Sequence, residues 1–180
     1  DGFNLNLYQG ENLVIMGKSG SGKSVMIKCL IGLEIPDSGT IEIMSQKLEH
    51  LSLKALDEIR ADIGFLFQGS ALYDSMTVRE NLEFPLRRHI SKFGNVKDTL
   101  PLVEEALQNV GLKNVIDLMP NELSGGMKRR VALARTLILK PKIIIYDEPT
   151  TGLDPITSKE IILLMKSVQE KYKTSSIIIT

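Results

Sequence analysis

The chain has no charge surplus, no pair of cysteines and no long apolar run. Its 22 Lys and Arg residues balance 22 Asp and Glu residues, whereas nucleic-acid-binding proteins more often carry a basic surplus. With Cys29 as the one cysteine, no disulfide can form within the chain, which fits a reducing compartment. No apolar run approaches the roughly 20 residues that span a bilayer, and no signal-peptide pattern is present. We therefore expect a soluble cytoplasmic protein that binds no nucleic acid.

The length of 180 residues and a hydrophobic content of 43% suit one domain, with room for a subdomain. Residues 1–7 alternate in the manner of a strand from the first position, and residues 176–180 form an apolar run that reaches the last position. We therefore expect a single domain, spanning 1–180, that is truncated at both ends.

Residues 17–24, Gly-Lys-Ser-Gly-Ser-Gly-Lys-Ser, match G-x-x-x-x-G-K-[ST], the phosphate-binding P-loop. An apolar run at 13–16 that predicts a buried strand precedes the motif, and a helical pattern with Val25 and Leu33 on its apolar side follows it. Its glycines allow the backbone N–H groups and a helix start to approach an anion closely. The predicted contacts to a nucleoside triphosphate are Gly17, Lys18, Ser19, Gly20, Ser21, Gly22, Lys23, Ser24 and Val25. A chance Gly/Ser/Lys loop is the alternative.

Two of these side chains have expected roles of their own. The Lys23 ammonium would reach the β- and γ-phosphates, and the Ser24 hydroxyl would bind Mg²⁺.

A second element lies at residues 143–147, Ile-Ile-Ile-Tyr-Asp, whose continuous apolar run predicts a central parallel strand. Asp147 at its end would hold Mg²⁺ through carboxylate oxygen. The next residue, Glu148, would polarise the attacking water beside the γ-phosphate. Two adjacent carboxylates in a solvated turn or a helix cap are the alternative.

Periodicity and turn residues predict the remaining elements. Strands are expected at 3–8, 12–16, 40–44, 63–67 and 177–180, the third of them antiparallel. Helices are expected at 53–60, from Thr77, at 100–110, from Ser124, and from Asp154 to about Tyr172. Thr77 and Glu80 form a capping box, and Ser124 and Asp154 are N-cap residues.

Three shorter motifs complete the pattern: Gln68 after a strand, Leu123-Ser124-Gly125-Gly126-Met127, and a turn at 149–155 that contains Asp154. Singly, they indicate a surface glutamine, a Ser-capped helix and an Asp-capped turn. Together with the P-loop and the 143–148 element they resemble the ATPase subunits of ABC transporters over essentially the whole chain. The resemblance implies a P-loop NTPase fold with a mostly parallel central sheet, an antiparallel β subdomain and a helical subdomain at about 69–135, the core being 1–68 and 136–180.

The same resemblance implies roles for these motifs in ATP hydrolysis. Gln68 would contact Mg²⁺ and link the core to the helical subdomain. Ser124, Gly125 and Gly126 would meet the ATP held by a second copy, in a head-to-tail dimer, and Asp154 would reach across that dimer. The family's switch histidine and adenine-stacking aromatic are expected outside this chain, so residues 1–180 alone should bind nucleotide weakly and turn over little ATP.

The segments 67–78, 80–86, 118–127 and 129–135 look like the Mla/Mce-type phospholipid transporter ATPases. That resemblance implies a membrane permease docked on the region after Gln68, which includes Ala71, Leu72, Tyr73 and Met76. It also implies an Mce-type lipid-binding subunit, and a peripheral position on the inner face of the cell membrane. The alternatives are an importer or exporter of another cargo, a non-catalytic binding module and a nucleic-acid-associated ABC ATPase. The compact spacing, without heptads or cysteine pairs, disfavours the last.

Overall fold

The computed structural model describes residues 2–18, 20–94 and 96–180. Its strands are β1 (Asn12–Ile15), β2 (Glu42–Ile43), β3 (Gln46–Lys47), β4 (Ile63–Leu66), β5 (Ile143–Asp147) and β6 (Ser175–Ile179). Its α-helices are α1 (Lys23–Leu30), α2 (Leu53–Ala61), α3 (Val78–His89), α4 (Leu100–Asn109), α5 (Gly125–Leu137) and α6 (Pro155–Tyr172). Short 3₁₀ turns lie at Leu48–His50, Ile90–Phe93 and Pro120–Glu122.

The main sheet has four parallel strands in the order β1-β6-β5-β4, and β2 pairs with β3 in an antiparallel ribbon. β5 lies between two neighbours, and its residues Ile144, Ile145 and Tyr146 are at most 2% exposed. The prediction of a central parallel strand at 143–147 is therefore confirmed. Parallel strands place their carboxyl ends at one edge of the sheet, so the residues that follow β1, β4 and β5 are brought together there.

Apolar residues pack on both faces of the sheet. The larger cluster joins helices α3 to α6 to β5, with fully buried members such as Leu82, Leu133 and Ile161. A smaller cluster on the other side packs Ile27 of α1 against Ile145, Ile177 and Ile179. Packing on both faces of the sheet thus fixes the positions of the strand ends, and with them the start of each loop that follows a strand.

The predicted helix starts are confirmed in detail. The Thr77 hydroxyl accepts from the Glu80 N–H, and the Glu80 carboxylate accepts in return from the Thr77 N–H at 2.8 Å. Asp154 caps α6 by accepting from the N–H groups of Ile156 and Thr157, both at 3.0 Å. These short-range hydrogen bonds are specified by neighbouring residue types.

Three expectations near the start of the chain are wrong. Residues 3–8 form no strand, because none of the described residues pairs with them and alternation alone cannot supply ladder hydrogen bonds. β1 is an edge strand rather than a buried one, with Val14 52% exposed. In α1, Ile27 is the buried residue and Val25 is exposed, since α1 contacts the sheet along a narrow face, and Leu33, beyond the end of α1, is exposed as well.

Among the helices that the structure describes, none is both long and apolar enough to cross a bilayer.

Candidate functional site

The P-loop leaves β1 and turns into α1, whose first residue is Lys23. Gly20 and Gly22 have φ values of 79° and 93°, in the left-handed region that glycine adopts without strain. A Cβ at either position would meet nothing within 4 Å, so the loop surface is open there. Ser19 lies outside the described residues. The loop is thus an irregular turn at a helix N-terminus, a geometry that binds anions through backbone N–H groups.

The Lys23 side chain folds back over this loop. Its Nζ donates to the carbonyl oxygens of Gly17 and Lys18, the latter at 3.3 Å. Ser24, one residue further on, is exposed at the start of α1. The ammonium therefore lies above the loop, where a phosphate group held by the N–H groups would meet it.

Asp147 and Glu148 end β5 at the same edge of the sheet. Burial raises the pKa of Asp147, and the charge of Glu148 raises it further, whereas the charge of Lys23 lowers it. The Gly17 N–H donates to the Thr180 carbonyl at 3.3 Å and the Glu148 N–H donates to the Ile179 carbonyl at 2.9 Å, so the P-loop and the end of β5 lie side by side at the end of β6. Glu148 has a φ of 42°, unusual for a residue with a side chain.

The Glu148 carboxylate is held by two donors at one oxygen. Its Oε2 accepts from Gln68 Nε2 at 3.1 Å and from Thr151 Oγ1 at 3.0 Å. The structure therefore brings the predicted Gln68 and Glu148 together. Thr151 was not predicted as a site residue; its only sequence signal is a hydroxyl three positions after the glutamate, within hydrogen-bonding reach if the intervening turn is tight.

A signature turn, defined here as residues 124–126, begins α5 at some distance in sequence from these groups. Ser124 is the N-cap and accepts from the Met127 N–H at 3.2 Å, and Ser124 and Gly125 are exposed. A Cβ at Gly126 would lie 2.8 Å from Thr157 Cγ2, and one at Gly125 would lie 3.8 Å from Leu153 Cδ2. The signature turn thus packs on the turn that precedes α6 and on the first turn of α6, and its N-terminal end is open to solvent.

Asp154 lies in that second turn and is exposed. Hydrogen bonds from Thr157, by its side chain and then by its backbone, hold the pKa of Asp154 below its ordinary value. Asp154 therefore carries its charge at neutral pH at the surface, beside the signature turn.

The segment after Gln68, residues 69–77, is held by the polar side chains of buried Asn81 and half-buried Arg135. Asn81, which is 0% exposed, donates to the carbonyl oxygens of Tyr73, Met76 and Thr77 and accepts from the Tyr73 N–H at 2.8 Å. Arg135 donates to the Ser70 carbonyl at 3.2 Å and lies over the Tyr73 ring. This network fixes an irregular segment that no regular hydrogen-bond ladder supports.

A groove of about 480 Å³ runs between this segment, β4, α3 and α5. Among its lining residues, Phe67, Tyr73 and Phe84 are between 42% and 46% exposed. Ala71 also lines the groove, whereas Leu72 packs into the larger core cluster instead. The predicted docking segment is therefore divided, with one part facing an open apolar groove and another part inside the fold.

The donors predicted for Mg²⁺ are the Ser24 hydroxyl, the Asp147 carboxylate and the Gln68 amide. All offer oxygen, the ligand that Mg²⁺ prefers, and sites completed by phosphates need only a few such protein ligands. In the described part of the chain no three His, Cys, Asp or Glu side chains form a metal-binding group. The donor set fits a cation shared with a nucleotide.

Comparison with known proteins places this geometry in a family. The ABC transporter family matches residues 1–151. The chain is 39% identical over 180 residues to the intermembrane phospholipid transport system ATP-binding protein MlaF of Haemophilus influenzae, covering 100% of the chain and 67% of that protein. It is 37% identical over 182 residues to the methionine import ATP-binding protein MetN of Clostridium tetani, covering 100% of the chain and 56% of that protein.

Among solved structures, the dimeric post-hydrolysis state of the ATP-binding cassette MJ0796, bound to ADP and Pi, matches with a TM-score of 0.85 and 37% identity. That match covers 98% of this chain and 77% of the other. The chain thus spans 56% to 67% of the length of the two curated relatives named above. By the family match over residues 1–151 and by its fold, the chain belongs to the ABC transporter family and carries the ATP-binding domain of that family.

Proposed function

We propose that this protein hydrolyses ATP as a head-to-tail dimer and thereby drives a membrane transporter. The observation that supports this most is the hydrogen bond from Gln68 to Glu148 beside the P-loop. It orients a carboxylate able to act on water, and the bonds of Gly17 and Glu148 to consecutive carbonyls at the end of β6 put that carboxylate next to a loop able to hold phosphates.

Each residue of the site has a distinct task in this proposal. The N–H groups of residues 17–25 and the Lys23 ammonium bind the phosphates, while Ser24, Asp147 and Gln68 would hold Mg²⁺. When bound, Mg²⁺ would neutralise charge on the phosphate oxygens. Glu148 orients the attacking water and accepts its proton at the carboxylate. Because Gln68 and Thr151 both occupy Oε2, the Oε1 atom is the one we assign to the water.

A second copy would complete the site. Ser124 and Gly125 are exposed at a helix N-terminus, where they can contact phosphates held by another P-loop. Asp154, exposed beside them, would face the same neighbour. The similarity to a cassette solved as a dimer with ADP and Pi supports this arrangement. Closure of two such copies excludes water and makes the fixed N–H dipoles more effective.

The partner surface we propose is the groove beside residues 69–77. Half-exposed aromatic side chains line an apolar concave surface there, which suits a helix or loop of a permease. The helical part of the chain, about 69–135, would transmit the conformational change that follows ATP hydrolysis to that partner. Residues 1–68 and 136–180 would form the catalytic core. The protein would then sit peripherally on the inner face of the cell membrane.

We further propose a phospholipid cargo handled with an Mce-type lipid-binding subunit. The similarity to MlaF over the whole chain supports it, as do the segments 67–78 and 118–127. Methionine is the second candidate, supported by the similarity to MetN at 37% identity. Co-purification of the full-length protein with its membrane partners, followed by lipid analysis and by methionine binding, separates the two.

Replacing Glu148 with Gln tests the activity. In the full-length protein, Glu148→Gln should bind ATP as tightly as wild type and lose hydrolysis by about a hundredfold or more, because the base is gone and the shape is kept. It should also remain dimeric in ATP on size-exclusion chromatography. Glu104→Gln, an exposed change on α4, serves as the control and should behave as wild type. Normal hydrolysis by Glu148→Gln would remove Glu148 from the catalytic role.

A further inference from the structure

Arg129 is a buried arginine in α5, with 3% of its surface exposed. Its Nη1 donates to the carbonyl oxygen of Phe67 at 2.6 Å, and its Nη2 donates to the carbonyl oxygen of Gln68. A planar guanidinium that holds two consecutive carbonyls fixes the orientation of the peptide unit between them. Arg129 therefore holds the main chain of the residue whose side chain reaches Glu148.

This arrangement is costly for stability. The hydrogen-bond partners of Arg129 are neutral carbonyls rather than carboxylates, its Nε has no partner among the described residues, and burial lowers its pKa. Buried charges are ordinarily paired with opposite charge, and apolar residues of similar volume often replace them without loss of stability. The presence of Arg129 at this position is therefore not explained by packing.

The helix that carries Arg129 also carries the signature turn. α5 begins at Gly125, one helical turn before Arg129, and Gly126 packs against Thr157 at the start of α6. A rotation or shift of α5 would move the guanidinium and, through it, the backbone at Gln68. The contact thus joins the turn that would meet a neighbouring copy to the loop beside the general base.

We propose that Arg129 is a positioning residue that places Gln68 against Glu148 and ties that placement to the signature turn. This proposal rests on the proposed ATPase function and adds a residue to it. Arg129 touches none of the reacting groups and acts through the main chain of residues 67 and 68.

Hydrogen exchange of the full-length protein without nucleotide tests the contact independently of hydrolysis. The Ser70 N–H donates to the Phe67 carbonyl at 3.1 Å, so its exchange reports on this segment. Arg129→Met should raise exchange in a peptide covering 66–72 by about tenfold or more. The matched control is Arg60→Met, because Arg60 also holds two consecutive carbonyls, those of Ile31 and Gly32, at the end of α1. Arg60→Met should leave exchange at 66–72 unchanged.

Kinetics provide the second measurement. Arg129→Met should lower kcat by about tenfold to a hundredfold with less than a threefold change in KM for ATP, because the phosphate-binding loop is untouched. Thermal unfolding should shift little or upward. Arg129→Lys keeps a donor for the carbonyls and should recover part of the lost kcat and of the protection from exchange.

Unchanged exchange at 66–72 in Arg129→Met overturns the proposal, as does a kcat equal to that of wild type. If Arg129→Met does not fold, Arg129→Lys decides in the same two assays, and wild-type exchange with wild-type kcat for that variant overturns the proposal. If the wild-type protein shows no ATP hydrolysis, the proposed function fails while the exchange result still tests the contact.

Discussion

The side-chain amide of Gln68 donates to the carboxylate of Glu148 across 3.1 Å, although 80 positions separate the two residues. The sheet explains the approach. Leu66 of β4 lies opposite Tyr146 of β5 in parallel register, so each strand ends one or two residues before one of the partners. The general base we propose is therefore held by a residue from the loop that leads to the proposed permease surface.

Gln68→Ala should lower kcat by about tenfold or more and weaken ATP binding much less, because Ser24 and Asp147 would still hold Mg²⁺. Removing the amide frees the Glu148 carboxylate from one of its two donors, so its orientation toward water is less fixed. Steady-state hydrolysis and a nucleotide-binding titration measure both values. Gln108→Ala, on the exposed face of α4, is the control. Equal losses in affinity and kcat would show that Gln68 serves nucleotide binding instead.

Alanine substitutions at Gly125 and Gly126 should distinguish a role in ATP-dependent dimerisation from a role in packing. Gly126→Ala places a Cβ 2.8 Å from Thr157 Cγ2, and we expect it to lower the free energy of unfolding by about 1–3 kcal/mol. Adding Thr157→Ser removes that methyl group and should restore stability. Gly125→Ala meets only an ordinary contact at 3.8 Å, so it should unfold as wild type does yet weaken ATP-dependent dimerisation. Chemical unfolding and size-exclusion chromatography measure the two effects, and a stable Gly126→Ala would contradict the packing argument.

Asn81→Ala should destabilise the fold by about 2–4 kcal/mol, because it leaves several main-chain groups of the 73–77 segment without partners in a buried place. Urea unfolding followed by circular dichroism measures this change. Asn121→Ala removes the same side chain at an exposed position and should fall within about 0.5 kcal/mol of wild type. Similar unfolding of the two variants would mean that water replaces the lost hydrogen bonds at Asn81.

Asp62 should make stability depend on pH. Burial raises the pKa of Asp62, but hydrogen bonds from Lys142 and Lys92 outweigh it, and the net pKa lies below the ordinary value. The folded state thus favours the charged form. The resulting stability is complete above the unfolded pKa of about 3.9 and is lost as the pH falls through the lower folded value.

The free energy of unfolding of the wild type should therefore exceed that of Asp62→Asn by about 1 kcal/mol at pH 7. The difference is modest because the Lys142 side chain is 67% exposed. The difference should shrink toward zero as the pH falls below the unfolded pKa of about 3.9 and through the lower folded value. Urea unfolding of both proteins across this range measures it. A difference that stays constant with pH would assign the effect to the shape of the side chain rather than to its charge.

Local patterns predicted much of this fold. The run at 143–147 forms an interior strand in which Ile144, Ile145 and Tyr146 are buried, as a short continuous apolar run predicts. Thr77, Ser124 and Asp154 cap helices through partners two or three residues away. Patterns that need a distant partner were less informative. Residues 3–8 alternate as a strand does, but a strand exists only where a neighbour supplies hydrogen bonds.

The residues that hold the candidate site in place could not be predicted from the sequence. Thr151 contacts Glu148 in a turn where Glu148 has a left-handed backbone, a conformation that no neighbouring residue type demands. Arg129 contacts carbonyls that lie 61 and 62 positions earlier in the chain. It lies near the start of α5, where the sequence gives no sign that an arginine is buried. A contact between residues so far apart in sequence leaves no periodic pattern from which it could be predicted.

Two main-chain hydrogen bonds at the end of β6 limit how the P-loop and the turn after β5 can move. Its Ile179 carbonyl accepts from the Glu148 N–H at 2.9 Å, and the adjoining Thr180 carbonyl accepts from the Gly17 N–H at 3.3 Å. The starting points of the P-loop and of the 148–155 turn are therefore fastened to consecutive peptide units, whose spacing of about 3.3 Å a strand does not stretch. The distance between Gly17 and Glu148 should therefore be the same before and after hydrolysis, and we expect rearrangement on nucleotide binding at Gln68 and Asp154, which these two bonds do not fix.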